Sequence, residues 1–136
     1  MTQSEFSDLI KNYLAQHHPE FLLSINFKED GSFDCHAQSK MAKLSIWLAT
    51  YDLEITVGFE DNEGNSDSHW HLGRIEEIEL PELLADTSKF ITDIIYDKIL
   101  IVQREKTGYH IYKDFGEVSK SKSKHTTIGV YKWSGL

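Results

Sequence analysis

Leu44-Ser45-Ile46-Trp47-Leu48-Ala49-Thr50-Tyr51-Asp52-Leu53-Glu54-Ile55-Thr56-Val57-Gly58-Phe59-Glu60 is the run that decides the fold. Leu44, Ile46 and Leu48 alternate with Ser45, Trp47 and Ala49. Past a tight turn near Tyr51-Asp52, Leu53, Ile55, Val57 and Phe59 alternate with Glu54, Thr56, Gly58 and Glu60. Successive side chains of a strand point to opposite faces. Residues 43–60 therefore read as an antiparallel hairpin with one apolar face turned to a core.

Towards the N-terminus, Phe33, Cys35 and Ala37 alternate with Asp34, His36 and Gln38 and follow Glu29-Asp30-Gly31-Ser32. The Asp-Gly pair is a hairpin signal. Phe21, Leu23, Ile25 and Phe27 alternate in the same way and read as a further strand. Phe6, Leu9, Ile10, Tyr13 and Leu14 recur at helical spacing, so residues 4–17 form a helix that Thr2 or Ser4 can cap. Pro19 lies just past its end.

Towards the C-terminus, residues 61–68 are polar and turn-forming. His69-Trp70-His71-Leu72 reads as a short strand. Leu80, Leu83, Leu84, Thr87, Ile91, Ile94 and Ile95 mark a second helix over about 81–98, with Pro81 in its first turn and Thr87-Ser88 as a point where it can divide. Strands are expected at 99–105 and 109–115 around Lys106-Thr107-Gly108. A basic loop is expected at Gly116 and 119–124. In the last strand Thr126, Ile128 and Val130 share one face, with Tyr131 and Trp133 on the other. The element order predicts an α+β fold, mostly antiparallel sheet with the N-terminal and second helices packed on it.

At 136 residues, 40% of them apolar and 16 aromatic, the chain fits one domain spanning 1–136 with a real core. Cys35 is the only cysteine, so no internal disulfide exists. Strand phase puts it in the core, with His36 on the opposite face where the ring cannot take the thiol proton. A lone thiol, the absence of a leader-like N-terminus and the absence of an apolar run of about 20 residues point to the cytoplasm and away from a membrane.

The net charge of −8 is unevenly spread. Residues 52–97 hold thirteen acids against Arg74 and Lys89, whereas residues 98–136 hold eight basic residues against three acids. Such a field repels nucleic acid and attracts basic partners. The lysines at 113, 120, 122 and 124 lie in the basic part, read as a solvated loop that can touch an anion or pair across a homodimer.

No GxGxxG, P-loop, HExxH, CxxC or GxSxG pattern occurs, and no catalytic residue or cofactor is assigned. His69 and His71 share a strand face and are metal-ligand candidates, with His36, Glu54 or His110 as third ligand, or else two solvent-facing imidazoles flanking a core Trp70. His69, His71 and His110 are also the residues of a hydrolytic alternative, which the surrounding acid disfavours for a phosphodiester substrate.

The segment 44–60, followed by the acidic loop and His69-Trp70-His71, resembles small immunity proteins encoded beside bacterial polymorphic and contact-dependent toxins. The resemblance covers about residues 44–72. It implies an antidote that binds a cognate toxin domain and covers its active site. An acidic inhibitor of a basic nuclease domain would mimic its substrate, and opposite charge speeds encounter. The expected partner-binding residues are the aromatics Trp47, Tyr51, Trp70 and Tyr112 and the acids Glu60, Asp61, Glu63, Asp67, Glu76, Glu77 and Glu79. An α+β binding or scaffold domain with another partner stays open beside this reading.

Overall fold

The computed structural model describes residues 1–121 and 125–136 and has the α+β architecture. Its strands form two antiparallel sheets. The larger contains β1 (Asn26–Phe27), β2 (Phe33–Gln38), β3 (Leu44–Ala49), β4 (Glu54–Asp61) and β5 (His69–Arg74), in that spatial order. The smaller places β6 (Leu100–Arg104) between β7 (Gly108–Tyr112) and β8 (Thr127–Tyr131).

Helix α1 (Gln3–His17) starts at a capping box. The Thr2 side chain accepts from the Glu5 amide, and Glu5 reaches back to the Thr2 amide. Helix α2 (Leu80–Ile95) runs without a break through Thr87-Ser88. The Thr87 hydroxyl donates to the Leu83 carbonyl, which keeps that position compatible with a helix. The helix stops at Ile95, short of 98, where Asp97 turns into the left-handed region. Both helices bury their apolar stripes on one face of the larger sheet. Phe6, Ile10, Leu14, Leu83, Ile91 and Ile94 meet Cys35, Ile46, Leu48, Ile55, Val57 and Phe59 there. Full burial of each such side chain contributes roughly 1.5–3 kcal/mol. The core of β2–β4 is thus the set that the alternation predicts, with Leu53 half-buried at the turn.

That turn joins β3 and β4 through Asp52 and Leu53, both with positive φ (56° and 57°). The Glu54 amide donates to the Tyr51 carbonyl, which gives the two-residue hairpin connection that matches strand twist. Neither residue is glycine, so the conformation costs roughly 1–2 kcal/mol per residue. Gln3 braces it by donating to the Thr50 carbonyl and accepting from the Leu53 amide (2.7 and 3.0 Å). Arg74 holds Asp52 at 2.8 Å.

Two expectations are corrected. Residues 19–24 are a 3-10 turn, and only Asn26–Phe27 pair as a strand. Pro19 starts the turn, and Leu23, expected in the core, is 92% exposed. Second, Gly116 and residues 119–120 belong to a short helix, α3 (Phe115–Lys120), where a loop was expected. Asp114 caps it by accepting from the Glu117 amide. Lys122 and Lys124, with the rest of the expected basic loop at 122–124, lie outside the described residues. In β8 the two faces separate as expected. Ile128 and Val130 are exposed, while Tyr131 and Trp133 pack on the core. A register irregularity between Gln103 and Arg104 shifts the pairing of β8. No described helix is long and apolar enough to cross a membrane.

Candidate functional site

The helices cover one face of the larger sheet and leave the other open. Register aligns His36 with Trp47, Trp47 with Gly58, and Gly58 with His69, so these four form one row across β2–β5 on the open face. Asp34, Ala49, Thr56 and His71 form the next row.

Trp47 lies flat across Gly58. A Cβ at that glycine would stand 2.5 Å from the indole Cζ2 and 2.5 Å from the Ser68 carbonyl oxygen, so only glycine fits. The indole sits 6.4 Å from the His69 ring, and His69 meets His71 edge-on at 5.2 Å. The Trp47 Nε1 is buried and has no hydrogen-bond partner among the described residues. A buried donor left unpaired costs about 1–3 kcal/mol. Beside it, Asp34, His36, Trp47, Ala49, Glu60 and Ser66 line a shallow groove of about 300 Å³.

The imidazoles are anchored differently. His69 Nδ1 lies 3.0 Å from the Asp67 carbonyl oxygen, so that nitrogen carries the proton and donates. His71 Nδ1 sits 2.6 Å from Glu54 Oε1, and the Thr56 hydroxyl approaches both. Among the described residues no group of three or more His, Cys, Asp or Glu is arranged to hold a metal ion. His110 is on the smaller sheet, bonded to Thr107. Among the described residues it shares no metal-ligand group and no ring contact with His69 or His71. Cys35 is buried on the core face, where desolvation pushes its thiol up to about 12, so it is no nucleophile.

The expected partner-binding residues do not form one patch. Trp47 is half-buried at the centre of the open face, and Glu60 is exposed on it. Glu63 and Asp67 are exposed in the loop at one end of the β4–β5 hairpin. Glu76, Glu77 and Glu79 are exposed beyond the other end, which also carries Asp52 and the 66% exposed Tyr51. Seven residues of strand, about 23 Å at 3.3 Å per residue, separate the two ends.

Three of the residues are not surface anchors on this face. Trp70 points to the core side, with its ring 5.5 Å from both Phe59 and Phe90. Asp61 is buried and organises its own loop, accepting from the Glu63 and Asn65 amides, the Asn65 side chain and the Tyr109 hydroxyl. Burial works to raise its pKa, but these donors outweigh it and hold the carboxyl below its usual range. Tyr112 belongs to the smaller sheet.

Leu23 is an exposed residue that period-2 reading placed in the core. Its neighbour Ser24 bonds both the amide and the carbonyl of His36 (2.9 and 2.8 Å), which sets Leu23 at the β2 edge of the sheet. Pro19-Glu20 just ahead was the available signal for a turn there. Set against family models, curated proteins and solved structures, the chain matches none of them.

Proposed function

We propose that the chain is a protein-binding inhibitor of the immunity type that receives a basic toxin domain on the open face of its larger sheet. The observation that carries this reading is the row His36–Trp47–Gly58–His69 at the centre of a sheet face that neither helix covers. Interfaces concentrate their energy in a few central aromatic residues surrounded by a polar rim. Trp47 is the central aromatic, and its unpaired indole N–H gains an acceptor if the partner supplies one. Glu60, Glu63 and Asp67 towards one end of the β4–β5 hairpin, and Asp52, Glu54, Glu76 and Glu77 towards the other, set a negative rim on both sides of the row. A rim of this sign speeds encounter with a basic surface without contributing much to residence.

The turn at residues 51–54 adds support. Its left-handed residues persist because Gln3 and Arg74 fix them, and the turn presents Tyr51 exposed at its start. Local strain that the surroundings over-determine is common at sites of recognition.

The test is complex formation with the protein encoded directly upstream, measured at two salt concentrations. A 1:1 complex whose association slows as salt rises supports the proposal, because exposed charges are screened within about 8–10 Å at physiological salt. No complex, or an association rate indifferent to salt, removes the immunity reading.

A further inference from the structure

The smaller sheet buries a positive charge without a counter-ion. Arg104 is 7% exposed at the end of β6. Its strand partners are Gly108 and Thr127, and it lies on the sheet face away from the main core, with Tyr112 and His110 on the same face. Its guanidinium donates to the Thr127 hydroxyl (2.8 Å), the Ser121 hydroxyl (2.7 Å) and the Tyr112 hydroxyl (3.3 Å). No carboxylate among the described residues pairs with it. Lys122, Ser123 and Lys124, outside the description, have none to offer. An arginine stays charged at any pH a protein tolerates, so burial does not neutralise it. Unpaired, a buried charge is costly.

The hydrogen-bond count points the same way. A guanidinium has five N–H donors; among the described residues three are used and the buried Nε has no partner. The Ser121 hydroxyl spends its own proton on the Val118 carbonyl. Among the described residues, no acceptor takes the hydroxyl proton of Thr127 or Tyr112. The cluster therefore holds surplus donors around a fixed positive charge. Thr127 is exposed, and Ser121 and Tyr112 are half-buried, so it reaches the surface. The Arg104 bond holds the Tyr112 phenol below its ordinary range, consistent with an acidified donor.

We propose that Arg104, Tyr112 and Thr127 form a binding site for a phosphate-type oxyanion, free or carried on a small molecule. A guanidinium edge plus two hydroxyls offers more donors than a carboxylate's two oxygens need, and it suits a group with three or more terminal oxygens. The C-terminal third of the chain is its basic part, with eight basic residues against three acids over 98–136. This site is on a different sheet from the proposed toxin-binding face and does not depend on it.

The test is calorimetric titration of the full chain, without any partner, at fixed ionic strength. Inorganic phosphate, glycerol phosphate and acetate are the probes. One saturable site for phosphate is expected, with acetate weaker. Glycerol phosphate binding as tightly identifies a phosphorylated small molecule as the ligand class, and phosphate alone identifies the free ion. Thr127→Val and Tyr112→Phe keep the arginine and should each weaken binding about tenfold, the size of a lost hydrogen bond to a charged group. Arg104→Met should abolish it. A heat that does not saturate, acetate binding as tightly as phosphate, or affinities unchanged in Thr127→Val and Tyr112→Phe would overturn the assignment.

Discussion

Replacing Gly58 by alanine sets two ordinary effects against each other. In an open strand, the substitution stabilises by about 0.4–1 kcal/mol, because alanine loses less backbone entropy on folding. At Gly58 the new methyl would stand 2.5 Å from Trp47 Cζ2, 2.6 Å from its Cε2 and 2.5 Å from the Ser68 carbonyl oxygen. The indole can tilt away, but the Ser68 oxygen is backbone, and it accepts the Phe59 amide bond at 2.9 Å that joins β4 to the start of β5. Overpacking of this kind costs about 1–3 kcal/mol. The clash wins, and Gly58→Ala should destabilise the chain by about 1–2 kcal/mol, with a midpoint roughly 3–10 °C lower. Urea unfolding followed by tryptophan emission measures it, and the native emission should shift as Trp47 leaves its flat position. In a double-mutant cycle, Trp47→Ala should recover part of the loss, while the part owed to Ser68 persists. A Gly58→Ala protein as stable as the parent, with unchanged emission, would refute the packing on which the open-face site is built.

Other consequences follow from single side chains. Asp61→Ala removes four accepted hydrogen bonds at a buried position and should cost about 2–4 kcal/mol, with faster amide exchange at Glu63 and Asn65. Because the folded carboxyl titrates below its unfolded value, its contribution is present above the ordinary carboxylate pKa and lost as pH falls through the folded one. Acid unfolding of Asp61→Asn should accordingly lack part of the parent's pH dependence. Cys35 should react slowly with a thiol reagent in the native state and quickly in urea. Its folded pKa is raised, so its contribution is full below the unfolded value near 9 and lost as pH rises towards about 12. Cys35→Ala should flatten that alkaline decline in stability.

The sequence carries the central hairpin plainly, because Leu44, Ile46, Leu48, Ile55, Val57 and Phe59 alternate without a break and one face has to be dry. Helix α1 is legible for a similar reason, since Phe6, Ile10 and Leu14 recur at helical spacing behind two candidate caps, Thr2 and Ser4, of which the structure uses Thr2. Where reading fails, a local signal competes with the period. Phe21, Leu23, Ile25 and Phe27 alternate as a strand would, but Pro19 starts a 3-10 turn that sends Leu23 outward. Asp114 and Glu117 are a helix start that the neighbouring Ser and Lys residues obscure. The pairing of β8 with β6 joins residues more than 20 apart in the chain and leaves no mark in β8 itself. The division into two sheets is likewise a matter of long-range pairing.

For the candidate site, charge is legible and placement is not. The acids of residues 52–97 look continuous in the chain, yet the hairpin carries them to opposite ends of the sheet. Asp61 differs from Glu60 and Glu63 only in facing Tyr109, a residue 48 positions on. Trp70 reads as an anchor beside two imidazoles until its phase is fixed by Val57 across the strand pair.

The proposed function stands or falls on Trp47. With the upstream-encoded protein as ligand, the dissociation rate of the complex should rise about 30-fold or more in Trp47→Ala, the effect of losing a central aromatic worth at least 2 kcal/mol. Its association rate should stay within about threefold of the parent's, since encounter is set by the acidic rim. A complex formed with Trp47→Ala that dissociates no faster than the parent's would contradict the account and move the interface off the open face of the sheet.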